Sequence, residues 1–304
     1  MSFRLGINTG FAVNRFMETE VWSRIIGEDL GLGYVQLTAD MLNMDLPANI
    51  ISKYVKEINF YKNKYKFDII STFTGAFTRV NHLAHPDLEI QKHWISWFKK
   101  FVDVSCDLNT LSLGSHFGIF TDSDNRSSTK RAERRKQNIE NWHIIAEYAK
   151  TKGLSYLTWE PMSISREQGE TIAETKLLQA DVNKDSPLPF YLCLDVDHGD
   201  VTSPNPDDTD AYSWLKSFAD ESPLIHLKQS SKNKSGHWPF TQEYNNCGKI
   251  IPQKIVNTIG QNSKNIKDHY LLLELSFRER EPIDSNVIAT LKESVGFWRE
   301  QIKE

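Results

Sequence analysis

Eight short apolar runs alternate with longer stretches of helical periodicity along almost the whole chain, an order that few folds accommodate. The runs are FRLGINTG (3–10), YVQLT (34–38), FDIIST (67–72), TLSLGSH (110–116), SYLTWEP (155–161), FYLCLDV (190–196), LIHLKQ (224–229) and YLLLELS (270–276). Short, nearly continuous apolar runs of this kind are what strands buried on both faces require. The segments between them, such as 90–108 and 134–153, carry apolar residues at helical spacing. In the second, Ile139, Trp142, His143, Ile145 and Ala146 recur together, and Gly153 stands where a C-cap glycine belongs. A last helix is expected over about 286–302. Strand followed by helix, eight times over, predicts an α/β chain closed as a (β/α)₈ TIM barrel rather than a doubly wound sheet. The two glycines of LGINTG have the wrong spacing for a dinucleotide fingerprint, and no phosphate loop follows the first run. No repeat, low-complexity tract or long linker interrupts 1–304, so a single domain is expected. The least regular stretch, 229–247, is expected to be a loop crossing the barrel mouth.

Composition narrows the function classes. With 304 residues, 39% hydrophobic and 25% charged, the chain can bury a large core, and its eight Trp and sixteen Phe exclude a disordered polymer. A net charge of −4 gives no general attraction to nucleic acid or to an anionic membrane. The basic run KRAERRK (130–136) reads as the solvated face of a helix. Cys106, Cys193 and Cys247 are odd in number and widely spaced, which fits a reducing cytoplasm better than export. The start, MSFRLGINTGF, lacks a signal pattern, and no apolar run approaches membrane-spanning length.

Barrels of this type build their active sites at the carboxyl ends of the strands. Those ends carry Glu160, Asp195, His226 and Glu274, each from a different late strand. Taken singly, a glutamate there is usually a cap or half of an ion pair, and a histidine in an apolar strand is usually a hydrogen-bonded core residue. Taken together, three carboxylates are costly to bury without a cation, because like charges raise one another's pKa and lose hydration. The set is hard and oxygen-rich, which suits Mn²⁺, Mg²⁺ or Co²⁺ rather than a thiolate-bound zinc.

The segments around these residues resemble the xylose-isomerase-like barrel family, in particular its ketose 3-epimerase branch. WEP (159–161) resembles the segment carrying that branch's first catalytic glutamate, and LDVDH (194–198) its Leu-Asp-x-x-His. IHLKQSSK (225–232) resembles its seventh-strand histidine segment, and LELSF (273–277) its last-strand glutamate. NTGFAVNR and STFTGAFTRVNHLAHPD are similar to the erythrulose-phosphate 3-epimerase group of erythritol catabolism. The resemblance covers essentially the whole chain. It implies one divalent ion held by Glu160, Asp195, His226 and Glu274, with Glu160 and Glu274 also acting as acid and base, and His198 meeting a substrate oxygen. It also implies a homo-oligomer, dimer or tetramer.

The chemistry explains the residue types. Epimerising the carbon beside a ketone removes a weakly acidic proton and returns one to the opposite face. A divalent cation stabilises the cis-enediolate as a Lewis acid, and one carboxylate per face exchanges the roles of base and acid. Two departures from the branch point to a phosphorylated ketose. Arg166 stands where free-sugar epimerases carry a second glutamate, and Lys232 stands six residues after His226, where they carry arginine. Arg166 as a planar fork and Lys232 as a point charge suit a phosphate dianion, with Lys228 a weaker third candidate. Arg79, His82 and His85 after the third strand, and His116 after the fourth, are expected to contact substrate or phosphate. His237 and Trp238 are expected in a lid. Asp197 and Asp200 are expected to support the site, and His93, His143 and His269 to be structural.

Two other activities share such a barrel. An aldose–ketose isomerase would use the same residues to move carbonyl and hydroxyl between C1 and C2. A zinc-dependent abasic-site endonuclease also has an Asp-x-x-His step, with His85, His116 and His237 as further ligands. The acidic balance argues against it, as does Ser235-Gly236-His237 where an Asp-x-His pair is needed.

Overall fold

A computed structural model of the chain describes residues 1–231, 234–277 and 284–302. Eight parallel strands close into a barrel: β1 (Ser2–Asn8), β2 (Tyr34–Thr38), β3 (Asp68–Phe73), β4 (Ser112–His116), β5 (Tyr156–Glu160), β6 (Phe190–Asp195), β7 (Leu224–Leu227) and β10 (Asp268–Leu273). β1 pairs with β2 on one side and β10 on the other, so the sheet has no free edge. Each expected run lies on one of these strands, and helices fill the intervals. Among the described residues, no helix is long and apolar enough to cross a membrane.

Strand side chains alternate between the lumen and the helix layer. Ile70, Phe73, Cys193, Leu224 and Leu272 form a small buried cluster of their own. Its members come from β3, β6, β7 and β10, and β3 is not a neighbour of the others, so they meet across the lumen. Two residues further along their strands come Asp195, His226 and Glu274. Period-2 alternation therefore places these polar groups directly above the apolar plug. Burial pushes the Cys193 thiol up to about 11, so it packs there as a small neutral group.

The helices show why local sequence was readable. Helix Ser128–Lys152 starts at Ser127, whose hydroxyl accepts from Lys130 N. It ends at Gly153, which has φ +98°, a left-handed backbone that glycine adopts without steric cost. The last helix is Val287–Arg299, shorter than the expected 286–302.

Two expectations are corrected. KRAERRK is not simply a solvated face: Arg131, Arg134 and Arg135 are largely covered and paired with Glu170, Asp124 and Glu174 at 3.2, 3.0 and 3.2 Å. Helix Ile172–Asn183 and the loop before it supply Glu174 and Glu170, so the run ties two helix–strand units together, while Lys130 and Lys136 stay exposed. The stretch 229–247 is not irregular, because β8 (Gln229–Ser231) and β9 (Lys234–Trp238) pair antiparallel at the mouth. Asp197 braces this hairpin, accepting from Ser230 Oγ at 2.6 Å and Gly236 N at 3.2 Å.

His269 is structural, as expected. Its Nδ1 donates to Ser222 O at 3.0 Å, and its Nε2 accepts from Ser263 Oγ at 2.8 Å. Burial holds its pKa below the ordinary 6.5. A histidine kept neutral by the fold is protonated first in the unfolded chain, so acid favours unfolding. Its contribution is therefore present above about pH 6.5 and is lost as pH falls from there towards the folded-state value. His269→Gln is expected to cost about 1–3 kcal/mol at pH 7.5. Between pH 7 and pH 5 the wild type should then lose more melting temperature than the variant; parallel losses would remove this assignment.

Candidate active site

The carboxyl ends of the strands open into a cavity of about 760 Å³, a volume ordinary for a small-molecule site. At its floor Glu160, Asp195, His226 and Glu274 each offer a ligand atom, all within 4.8 Å of one another. Glu160 and Asp195 are the last residues of β5 and β6, and His226 lies within β7. Glu274 follows β10 and continues its ladder, with its N–H donating to Leu227 O at 2.9 Å. Register sets Asp195 beside His226 across the β6–β7 pair.

The imidazole of His226 is fully buried and packed edge-on to Phe73. Its Nε2–H donates to Gln36 Oε1 at 2.7 Å, which aims Nδ1 at the carboxylates; the buried imidazole beside Glu160 and Glu274 has its pKa held well above the ordinary 6.5. Nδ1 is 3.1 Å from Glu160 Oε1 and 3.5 Å from Glu274 Oε1. The second oxygen of each glutamate turns to another imidazole. Glu160 Oε2 meets His116 Nε2 at 3.2 Å, and Glu274 Oε2 meets His237 Nε2 at 3.4 Å. Two Glu–His pairs thus flank one histidine, reached from β5 and β10, which lie three places apart around the barrel. Asn8 Nδ2 adds a bond to Glu274 Oε1 at 3.1 Å, and its own Oδ1 is held by Gly10 N at 2.7 Å.

Lys228 is the unexpected member. Only 1% exposed, its ammonium lies 2.7 Å from Asp195 Oδ2 and 3.6 Å from Glu274 Oε2. It also approaches His198 Nε2 at 3.4 Å and His237 Nε2 at 3.1 Å. Burial alone would discharge such a lysine, yet Asp195 and Glu274 outweigh it and hold the pKa above the ordinary range. Burial likewise favours protonated Glu160 and Glu274. The His226 imidazole, with His198 beside Glu160 and Lys228 beside Glu274, holds both carboxyls well below their usual range. Among the described residues, three carboxylates crowd together around the Lys228 ammonium and the His226 imidazole, a surplus of anionic oxygen that a divalent cation taking the place of the imidazole proton would offset. The donor set therefore fits such an ion in number, hardness and charge.

His198 Nδ1 donates to Pro161 O at 3.0 Å, which leaves Nε2 as an acceptor at the cavity wall. The loop behind it is fixed by Gly199, at φ +135° and packed against Asp208 O, where a Cβ has no room. His116 and His237 also line the cavity. Arg166 is half-buried and lies outside that lining. Lys232 lies outside the described residues. His82 and His85 do not face the cavity: His82 packs on Trp94, and His85 Nδ1 accepts from Asp87 N at 3.0 Å at a helix start. Asp200 caps Thr202, while His143 bonds Val182 O and stays structural. Sequence reasoning missed Gln36 and Asn8, although each is a polar residue in an apolar strand, a signal worth following.

A barrel with hard oxygen and imidazole donors gathered at the carboxyl ends of its strands is the arrangement that metal-dependent sugar isomerases and epimerases of the xylose-isomerase type require. Comparison with known proteins makes the class particular. The chain is 40% identical over 303 residues to D-erythrulose 1-phosphate 3-epimerase of Brucella abortus, a match spanning 99% of this chain and 97% of that protein. It belongs to the ketose 3-epimerase branch of the xylose-isomerase-like barrels. Among solved structures, a candidate xylose isomerase from Rhodospirillum rubrum superposes at a TM-score of 0.89 with 25% identity, covering 99% and 100% of the two chains. D-Psicose 3-epimerase of Clostridium cellulolyticum, solved with D-tagatose, shares the fold at a TM-score of 0.69 and 12% identity, over 99% and 100% of the chains. No family model matches the chain.

Proposed function

We propose that this chain inverts C3 of a four-carbon 1-phosphorylated ketose, erythrulose 1-phosphate, by proton removal and return with Glu160 and Glu274 as the two acid–base groups. The observation that carries this reading is the paired arrangement of the two glutamates. Each turns Oε1 towards His226 and Oε2 towards an imidazole lining the cavity, so two carboxyl groups from different strands stand ready for the two faces of a carbon bound between them. Inversion needs one such group per face, because a single carboxylate returns the proton where it took it. The Brucella relative carries the same reaction in its name.

Glu160, Asp195, His226 and Glu274 would hold a divalent cation, Mn²⁺, Co²⁺ or Mg²⁺ by the hardness of the set, which when bound supplies Lewis-acid stabilisation of charge developing on the substrate oxygens. In the proposed cycle one glutamate, as carboxylate, takes the C3 proton on Oε2, and the other, which has first taken a proton from solvent, supplies it to the opposite face; solvent exchange then resets the pair. His116 and His237 orient these oxygens. His198, at the cavity wall, meets a substrate oxygen, and the Lys228 ammonium holds the Asp195 carboxylate in place. Three free, widely spaced cysteines support a cytoplasmic location, and a relative named for D-erythrulose 1-phosphate supports a place in the metabolism of a four-carbon sugar, that of erythritol.

Proton NMR of erythrulose 1-phosphate with the enzyme in D₂O tests this reading. The C3 proton should exchange as the opposite epimer accumulates. Label entering C1 with formation of an aldose would establish the isomerase alternative instead, and an unlabelled, unchanged substrate would remove both.

A further inference from the structure

We propose that Arg79, held at the cavity wall by Glu167, receives the phosphate of the substrate. This assignment rests on the reading of the substrate as a ketose phosphate. Among the described residues, Arg79 is the one lysine or arginine that lines the cavity. Lys228 is sealed behind Asp195, and Arg166 stands off the wall.

The loop after β3 that carries Arg79 is anchored at both ends. On one side Asp40 accepts from Phe77 N at 3.0 Å and from Thr78 Oγ1 at 2.7 Å. On the other, buried Asn81 donates to Ser115 Oγ at 3.2 Å and to His116 O at 2.7 Å. His116 is the residue that reaches Glu160, so the arginine and a proposed proton-transfer group are tied to the same strand end. A positioned cation costs less ordering on binding than one on a free loop.

The guanidinium itself is half-committed. Its Nη1 pairs with Glu167 Oε2 at 3.1 Å, and among the described residues that is its one partner. Nε–H and the second amino group are left to donate, the planar fork that suits phosphate oxygens. The side chain is 40% exposed, so a ligand need not displace a buried network to reach it. Glu167 keeps the arginine neutralised while the site is open. A free ketose brings no charge to compete for the remaining donors, whereas a phosphate dianion does. The pair therefore selects for phosphorylated substrates at the wall, away from the reacting carbon.

The test compares kcat/KM for erythrulose 1-phosphate and free erythrulose in wild type, Arg79→Ala and Arg166→Ala. Arg79→Ala should lower the phosphorylated-to-free ratio about 10- to 150-fold, mainly through KM, the loss of one charge-assisted hydrogen bond or more. Arg166→Ala should move that ratio far less. Equal losses on both substrates in Arg79→Ala, or a larger change of ratio in Arg166→Ala, would overturn the assignment. If wild type does not prefer the phosphorylated ketose, the phosphate reading itself fails; if it does and Arg79→Ala keeps the preference, only Arg79 is wrong. Should Arg79→Ala not fold, inhibition of free-erythrulose turnover by inorganic phosphate decides the matter. Glu167→Gln removes the competing charge and should bind phosphate more tightly than wild type, and equal or weaker binding counts against the proposal.

Discussion

Glutamine in place of Glu160 or Glu274 is expected to lower epimerisation by about 10²–10⁴-fold, the range for loss of one general acid–base group. The substitution keeps side-chain volume and one oxygen while removing the ability to take a proton. Both residues are buried in a polar cluster, Glu160 within reach of His116, His198 and His226, so the fold should tolerate an amide. The informative readout is exchange without inversion. In a two-base reaction each epimer presents its C3 proton to one glutamate only. Glu160→Gln should still wash deuterium into one epimer, and Glu274→Gln into the other, while neither interconverts them. The double variant should be little worse than either single one, because the two residues act as a unit. Normal inversion by either variant would refute the two-base scheme. Loss of exchange from both epimers in both variants would reduce the glutamates to ligands.

Removal of divalent ions is expected to take turnover to background, with return on addition of Mn²⁺ or Co²⁺. The reason is the charge at the barrel floor. Glu160, Asp195 and Glu274 face one ammonium, that of Lys228, and their mutual repulsion is relieved by a cation in their midst. Binding to the folded state alone should also raise the melting temperature, by the equivalent of about 2.7 kcal/mol at a metal concentration one hundred times the dissociation constant. Asp195→Asn should weaken that thermal response, since the amide brings no charge to the ion. Acid should weaken it too, because protons compete for the carboxylates and for His226 Nδ1. Full turnover by metal-free protein would sink this mechanism.

How much of this was legible before the fold was known follows from where the signal resides. Asp195, His226 and Glu274 announce themselves because each follows a lumen-facing residue of the same strand by two positions, Cys193, Leu224 and Leu272. Alternation along one strand is a local property, so four strand ends could be read from the chain and expected to converge once the barrel closed. The arginines of KRAERRK look solvated in the sequence because their partners, Asp124, Glu170 and Glu174, lie on other elements. The hairpin of β8 and β9 looks like loop in the sequence for a similar reason, since Asp197, which braces it, comes from the turn after β6.

Sequence by itself determined the barrel, the end of it that carries the chemistry, and the four residues at its floor. Each of these depends on periodicity within a segment or on the order of segments. Only the tertiary structure decided that Gln36 orients His226, that Lys228 is spent on Asp195, and that Arg79 rather than Arg166 lines the cavity. Those outcomes depend on the path of loops and on the reach of side chains across the lumen. Closing the barrel brings the Gln36 side chain of β2 to His226 of β7, 190 positions away in the chain and not on a neighbouring strand, and no local pattern encodes that meeting.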